Sequence, residues 1–188
     1  MKKSKVDLFK DNGYVNFENY ISKFDISLLD EVTRDIYFNL NESHDDFIKD
    51  PGAAGFVNLP AHSKHSLKII NSIVTDQKII SFLEQIVGTS FKIWDISYRI
   101  SKPGDKGLYL HQDGPGQMNM AILLNDNNNS KNGSTAFLPS SHLIIKSQKS
   151  SKLEIPPFIL NMFSFLFEPS YGKKGDVIFF SNKIWHGR

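Results

Sequence analysis

The spacing of apolar positions changes period once along the chain, from a helical repeat in the first half to a two-residue repeat in the second. Val6, Leu8 and Phe9 precede Gly13, which predicts a short helix stopped at the glycine and followed by a brief strand with alternating aromatics, Tyr14 to Phe17. With Asp25 or Ser27 as N-cap, Leu28, Val32, Ile36 and Leu40 then recur at helical spacing beside Leu29, a stripe that predicts a helix packed on a sheet. Residues 42–65 hold Pro51-Gly52-Ala53-Ala54-Gly55 and Pro60 among polar residues and read as an irregular loop bordering a pocket. Leu67, Ile69, Ile70, Ile73 and Val74, then Ile79, Ile80, Leu83, Ile86 and Val87 after Asp76, predict two helical segments ended by Gly88.

From Phe91 onward the period is two. Phe91–Trp94, then Ile96, Tyr98 and Ile100, then Leu108–Asp113, Met118–Leu124, Thr135–Leu138, Phe158–Phe167 and Val177–Ser181 are short strand candidates separated by Gly-, Asn- and Ser-rich connections. Asn125 to Ser130 reads as an exposed hairpin loop. The fold class is α+β: short strands punctuated by turn signals predict a sandwich or barrel with helices on its N-terminal side. One domain is expected over residues 1–188, with a helical part at about 1–88 and a strand core at about 89–188.

Composition narrows the functional classes. The 188 residues, 40% hydrophobic and 22% charged, suit one soluble domain with a sizeable core. The formal net charge is +2, and the lysines cluster only at Lys2-Lys3-Lys5 and Lys173-Lys174, so no nucleic-acid partner is expected. The sequence has no cysteine, which excludes disulfides, zinc ribbons and thiol nucleophiles. The basic N-terminus continues into Val6-Asp7 instead of an apolar run, and the most apolar stretch, Phe158–Phe167, is half the length of a membrane-spanning helix. A cytoplasmic protein without a membrane span, acting on a small molecule, is the expectation.

The chemistry is concentrated in Tyr109-Leu110-His111-Gln112-Asp113 and in Trp185-His186. On a strand, His111 and Asp113 face the same side, and His186 supplies a second imidazole. Two histidines and a carboxylate on one side of an octahedral metal leave positions open for a bidentate co-substrate and dioxygen, the pattern of non-haem Fe(II) oxygenases. Tyr98 shares a strand face with Ile96 and Ile100, with a hydroxyl able to reach inward, whereas His44, His62 and His65 read as loop residues. Trp185 reads as a packing residue.

The surroundings of the triplet add a resemblance. An opening Phe9-Lys10-Asp11-Asn12-Gly13-Tyr14-Val15 comes first, and Gly114-Pro115-Gly116 follows the His-x-Asp. Asn132-Gly133 then leads through a strand to Pro139-Ser140-Ser141-His142, and Gly175-Asp176 opens the strand that runs to Trp185-His186. In this order the pieces resemble the phytanoyl-CoA dioxygenase family of Fe(II)- and 2-oxoglutarate-dependent oxygenases. The resemblance implies a double-stranded β-helix (jelly roll, cupin-like) with N-terminal helices packed on one sheet. It implies His111, Asp113 and His186 as iron ligands, with 2-oxoglutarate and dioxygen as co-substrates and ascorbate in support. Succinate and carbon dioxide would be released, and the aspartate, standing where related halogenases leave a halide position, favours hydroxylation or desaturation.

By the same resemblance His142 stabilises a turn, and Asn119 stands against the co-substrate. The family places its 2-oxoglutarate-binding arginine on a strand beyond the distal histidine, whereas this sequence ends at Arg188. A longer parent protein with the missing last strand is therefore expected, and Arg188 is the remaining candidate for the co-substrate's far carboxylate. Two alternatives stay open: a cupin-like metal enzyme that does not use 2-oxoglutarate, and a non-catalytic β-helix binding module or inactive fragment. Specificity is expected on loops 42–65 and 143–157, which carry no acyl-CoA, sugar or amino-acid signature.

Overall fold

The computed structural model describes residues 3–39, 47–48, 55–58, 64–100, 110–128, 133–144 and 162–187. In chain order the first elements are α1 (Lys5–Asn12), β1 (Tyr14–Phe17), α2 (Lys23–Asn39), β2 (Phe47–Ile48), β3 (Gly55–Asn58), α3 (Lys64–Val74), α4 (Gln77–Val87) and β4 (Ser97–Ile100). They are followed by β5 (Met118–Ile122), β6 (Ala136–Phe137), α5 (Ser141–Ile144), β7 (Glu168–Pro169), β8 (Val177–Ser181) and β9 (His186–Gly187). Two compact units result, Met1–Tyr20 together with Gly107–Arg188, and Ile21–Lys106. This division differs from a split near residue 88 because β1 hydrogen-bonds to β8, which ties the N-terminal segment to the C-terminal one.

In the first unit, β8 lies between β1 and β5 in an antiparallel sheet whose register pairs Phe180 with both Tyr14 and Asn119. Val177, Ile178 and Phe179 are buried in succession, as in a central strand covered on both faces. A second antiparallel sheet has β6 between β7 and β9, pairing Phe137 with His186. Phe137, Ile178 and Ile184 form a buried cluster against which Tyr14, Ala121, Leu123 and Phe180 pack. Tyr14 stacks on Phe137 at 4.6 Å, and its hydroxyl donates to the Glu168 carboxylate.

The Gly-Asp turn before β8 is held by the buried Asp176 carboxylate. It accepts from the Asn19 N–H at 2.7 Å, the Asn16 amide at 3.0 Å and the Lys173 N–H at 3.0 Å. A buried carboxylate survives desolvation only with such donors around it, and here they fix where β8 begins.

The second unit is helical with one small sheet. Ser22 accepts the Asp25 N–H and donates to its carboxylate, so α2 starts at Lys23, ahead of the expected caps at Asp25 and Ser27. Among its described side chains Ile26, Leu29 and Thr33 are buried, whereas Leu28 and Val32 of the expected stripe are half-buried, and the Ile36 side chain and Leu40 lie outside the described residues. The Thr33 hydroxyl donates to the Leu29 carbonyl at 2.7 Å, which lets a polar residue occupy the inner face. α2 packs on α3 and α3 on α4, through Ile69, Ile70, Ile73, Ile79 and Phe82. The Asp76 side chain accepts the Lys78 N–H at the start of α4, and Gly88 ends the helix as expected.

Four strand or loop expectations are corrected. Residues 91–96 form no strand: Phe91, Ile93 and Trp94 are exposed, and without a face to bury, alternation alone does not make a strand. The stretch 162–167 of the expected strand Phe158–Phe167 is a turn with a 3₁₀ segment at Ser164–Leu166, and Met162, Phe163, Phe165 and Leu166 are exposed. Loop 42–65 contains β2 and β3, and β3 pairs with both β2 and β4 in a third antiparallel sheet. Among the described residues of the expected strand Leu108–Asp113, His111 forms an isolated β-bridge, and Leu108 lies outside them. Residues 158–161, Tyr109, His44, His62, Arg188 and most of loop 143–157 lie outside the described residues, as does the side chain of His65. Among the described residues no helix is long and apolar enough to cross a membrane.

Candidate metal centre

His111 and His186 are brought together by backbone register. They form a directly opposed antiparallel pair that exchanges both hydrogen bonds, His111 N–H to His186 O at 2.8 Å and His186 N–H to His111 O at 3.0 Å. Opposed residues of such a pair project to the same face, and the two rings lie 4.3 Å apart between centroids. Two residues on, Asp113 returns to that face, its N–H held by the Asn182 carbonyl at 2.9 Å. The period-two expectation for His111 and Asp113 holds although the strand is reduced to a bridge, because Asn182 and His186 pin the segment at both ends.

The three side chains offer one ligand atom each within 4.8 Å of one another. Asp113 Oδ1 lies 3.6 Å from His111 Nε2, and Asp113 Oδ2 lies 3.5 Å from His186 Nε2. Donors about 2.1 Å from a common metal at right angles stand about 3 Å apart, so the group lies close to coordination geometry. The chemistry of the donors also fits a cation. His186 Nδ1 lies 3.0 Å from the Ile184 carbonyl, so it carries a proton and donates, which turns Nε2 toward Asp113 Oδ2 at 3.5 Å. A cation between that nitrogen and the carboxylate, a proton or a metal ion, satisfies both groups.

Burial pushes the Asp113 carboxyl up, but the His111 imidazole, the charge on His186 and the Asn119 amide outweigh it and hold the group below the ordinary carboxylate range. It is therefore an anion at neutral pH. Asn119 donates from its amide to Asp113 Oδ2 at 2.5 Å. Behind the centre, the Phe180 ring meets the His186 ring edge-on at 5.0 Å.

Two residues that the sequence did not single out hold the ligand arms in place. The buried Asn182 donates its amide to the Gly114 carbonyl at 2.6 Å while its own carbonyl holds Asp113. Gln112, buried between the two ligands and pointing to the opposite face, donates to the Lys183 carbonyl. The Ser181–Ile184 turn thus fastens the His-x-Asp segment from two sides. The only legible signal was a turn-forming Asn shortly before the distal histidine.

His142 stands apart from the triad and completes the end of α1. The last four carbonyls of that helix are all satisfied: Phe9 by the Gly13 N–H, Lys10 by His142 Nε2 at 3.0 Å, Asp11 by the Ser140 hydroxyl and Asn12 by the Ser140 N–H. The contact of His142 is structural, as expected, but it reaches the end of α1 and not a backbone group of its own turn. Trp185 is buried, with its N–H on the Ser141 hydroxyl. Tyr98 is buried on β4 in the Ile21–Lys106 unit.

The profile of the phytanoyl-CoA dioxygenase (PhyH) family matches residues 9–187. The chain belongs to the phytanoyl-CoA dioxygenase family. Membership makes it an oxidoreductase of the iron- and 2-oxoglutarate-dependent oxygenase class. No curated protein matches the sequence significantly. Solved structures do resemble it, among them the non-haem α-ketoglutarate-dependent carbocyclase SnoK from nogalamycin biosynthesis, with a TM-score of 0.72 at 15% identity over 100% of this chain and 77% of that one. EctD from S. alaskensis, crystallised with 2-oxoglutarate and 5-hydroxyectoine, gives 0.69 at 19% identity over 100% and 70%. HygX from Streptomyces hygroscopicus, bound to nickel, 2-oxoglutarate and hygromycin B, gives 0.67 at 13% identity over 100% and 80%. At these identities the likeness to the solved structures is one of fold, with mixed helix and sheet.

Proposed function

We propose that this family member is an Fe(II)- and 2-oxoglutarate-dependent dioxygenase that hydroxylates or desaturates a small-molecule or lipid-like substrate and releases succinate and carbon dioxide. The observation that carries this reading is the convergence of His111, Asp113 and His186 ligand atoms within 4.8 Å on one face. His111, Asp113 and His186 would hold Fe(II), which when bound would supply the oxidative decarboxylation of 2-oxoglutarate and the activation of dioxygen. The chain's own residues supply placement. His186 presents Nε2 because Ile184 holds Nδ1, Asp113 presents an anionic oxygen, and Phe180 covers the back of His186.

The presence of 2-oxoglutarate in the EctD and HygX structures supports the co-substrate assignment. The aspartate, a ligand where related halogenases keep an open halide position, favours oxygen insertion or desaturation. In this reading the two sheets carrying β8 and β9 are the faces of a double-stranded β-helix, and the whole chain works as one oxygenase domain.

The test is incubation of the protein with Fe(II), ascorbate and 2-oxoglutarate, measuring succinate and metal-dependent 2-oxoglutarate binding. His111→Ala should abolish both, and His142→Ala should retain binding. Metal-dependent turnover of a substrate without succinate would instead assign a cupin-like enzyme. The absence of metal-dependent 2-oxoglutarate binding in the wild type would assign a binding module.

A further inference from the structure

We infer that Asn119 is a positioning residue that keeps the Asp113 carboxylate bound to the metal through one oxygen, Oδ1, so that a further coordination position stays open. The inference rests on the metal-centre reading above. Its starting point is that the two oxygens of Asp113 are not equivalent. Each oxygen faces one imidazole, Oδ1 with His111 Nε2 at 3.6 Å and Oδ2 with His186 Nε2 at 3.5 Å, and Oδ2 in addition receives the Asn119 amide at 2.5 Å. The amide must present its NH₂ end, because turning it would set a carbonyl oxygen against an ionised carboxylate.

The backbone leaves Asn119 little freedom. It sits inside β5, two residues before Ala121 on the same face, directly opposite Phe180 in the β5–β8 register. Phe180 in turn meets His186 edge-on at 5.0 Å. One cross-strand pair therefore supports two ligands at once, Asn119 beneath Asp113 and Phe180 beneath His186. β8 is the central strand of its sheet, and Val177, Ile178 and Phe179, which precede Phe180, are buried.

The consequence follows from how carboxylates bind. A carboxylate free on both oxygens can chelate a metal, occupying two positions where one is needed. Two imidazoles and a chelating carboxylate would fill four of six octahedral positions, leaving too few for a bidentate co-substrate together with dioxygen. A hydrogen bond from the Asn119 amide engages a lone pair of Oδ2, which would disfavour chelation and leave Oδ1 to bind the metal. Asn119 acts through Asp113 and need not touch the co-substrate, which sharpens the expectation that it stands against 2-oxoglutarate.

The test uses the full chain loaded with Co(II), whose ligand-field absorption reports coordination number, before and after adding 2-oxoglutarate. Asn119→Ala removes the donor, and Asn119→Leu removes it while keeping the volume; far-UV circular dichroism and the thermal transition identify the variants that fold. In the folded variants the spectrum of the Co(II) complex without 2-oxoglutarate should shift, and 2-oxoglutarate should bind to the loaded protein about tenfold or more weakly, the range for lost supporting contacts at metal ligands. A Co(II) spectrum identical to wild type overturns the inference even if 2-oxoglutarate binding weakens, since that outcome describes a direct co-substrate contact. Wild-type protein that binds no Co(II) overturns the metal-centre reading itself, and the inference with it.

Discussion

Replacing Gly13 by alanine probes the joint between α1 and the His142 turn, and its cost can be worked from the structure. Gly13 has φ 86°, where a side chain costs about 1–2 kcal/mol. An added Cβ would also lie 2.6 Å from His142 Nδ1 and 3.1 Å from two ring carbons. The ring cannot retreat freely, because Nε2 bonds the Lys10 carbonyl, and giving up that bond costs about 1 kcal/mol. Gly13→Ala should therefore destabilise by about 2–3 kcal/mol and His142→Ala by about 1 kcal/mol, the latter from the orphaned helix carbonyl. In the double variant the clash is gone, so the total should fall short of the sum by about 1 kcal/mol. Urea unfolding followed by circular dichroism measures all four corners of the cycle, compared at equal m-value. Additivity within about 0.5 kcal/mol would refute the reasoning, because it would mean that Gly13 and His142 do not share one space.

Two further outcomes follow, one from a contact remote from the candidate ligands and one from a contact beside them. Burial first, and then the hydrogen bond to Glu168, raise the Tyr14 phenol above its ordinary value of 10.0. A group raised on folding contributes stability that is complete below the unfolded pKa and is lost as pH rises toward the folded one, so wild-type stability should decline above pH 10. Tyr14→Phe should flatten that decline in alkaline unfolding titrations, and an unchanged slope would count against the buried phenol as its source. Separately, Asn182→Ala should weaken Co(II) binding by about tenfold through loss of the Asn182–Gly114 tether, read by metal titration of variants that keep the wild-type thermal transition. Unaltered affinity would show that the Asn182 carbonyl alone suffices to hold Asp113.

Much of the local structure was legible because it depends on neighbours in sequence. The glycine stop of α1, the four residues of β1, the Asp76 break between α3 and α4 and the five residues of β8 follow from caps, turn residues and short apolar runs. The same local logic failed where burial decides. Phe91, Ile93 and Trp94 alternate like a strand, and Met162, Phe163 and Phe165 cluster like one, yet all six are exposed. In α2, Thr33 turns inward because its hydroxyl finds a carbonyl within its own helix. Neither outcome is encoded in spacing, since each depends on which surface is covered.

The candidate site divides in the same way. By itself the sequence offered the candidate ligand types and the expectation that His111 and Asp113 share a face, since a backbone period needs only two residues of context, and the order of its motifs pointed to the family. Only the tertiary structure decided that His186 stands opposite His111, that Asn119 reaches Asp113 Oδ2, and that Asn182 and Gln112 fasten the two arms together. Those contacts join segments far apart in the chain, and their partners are chosen by strand register, which a linear pattern does not specify.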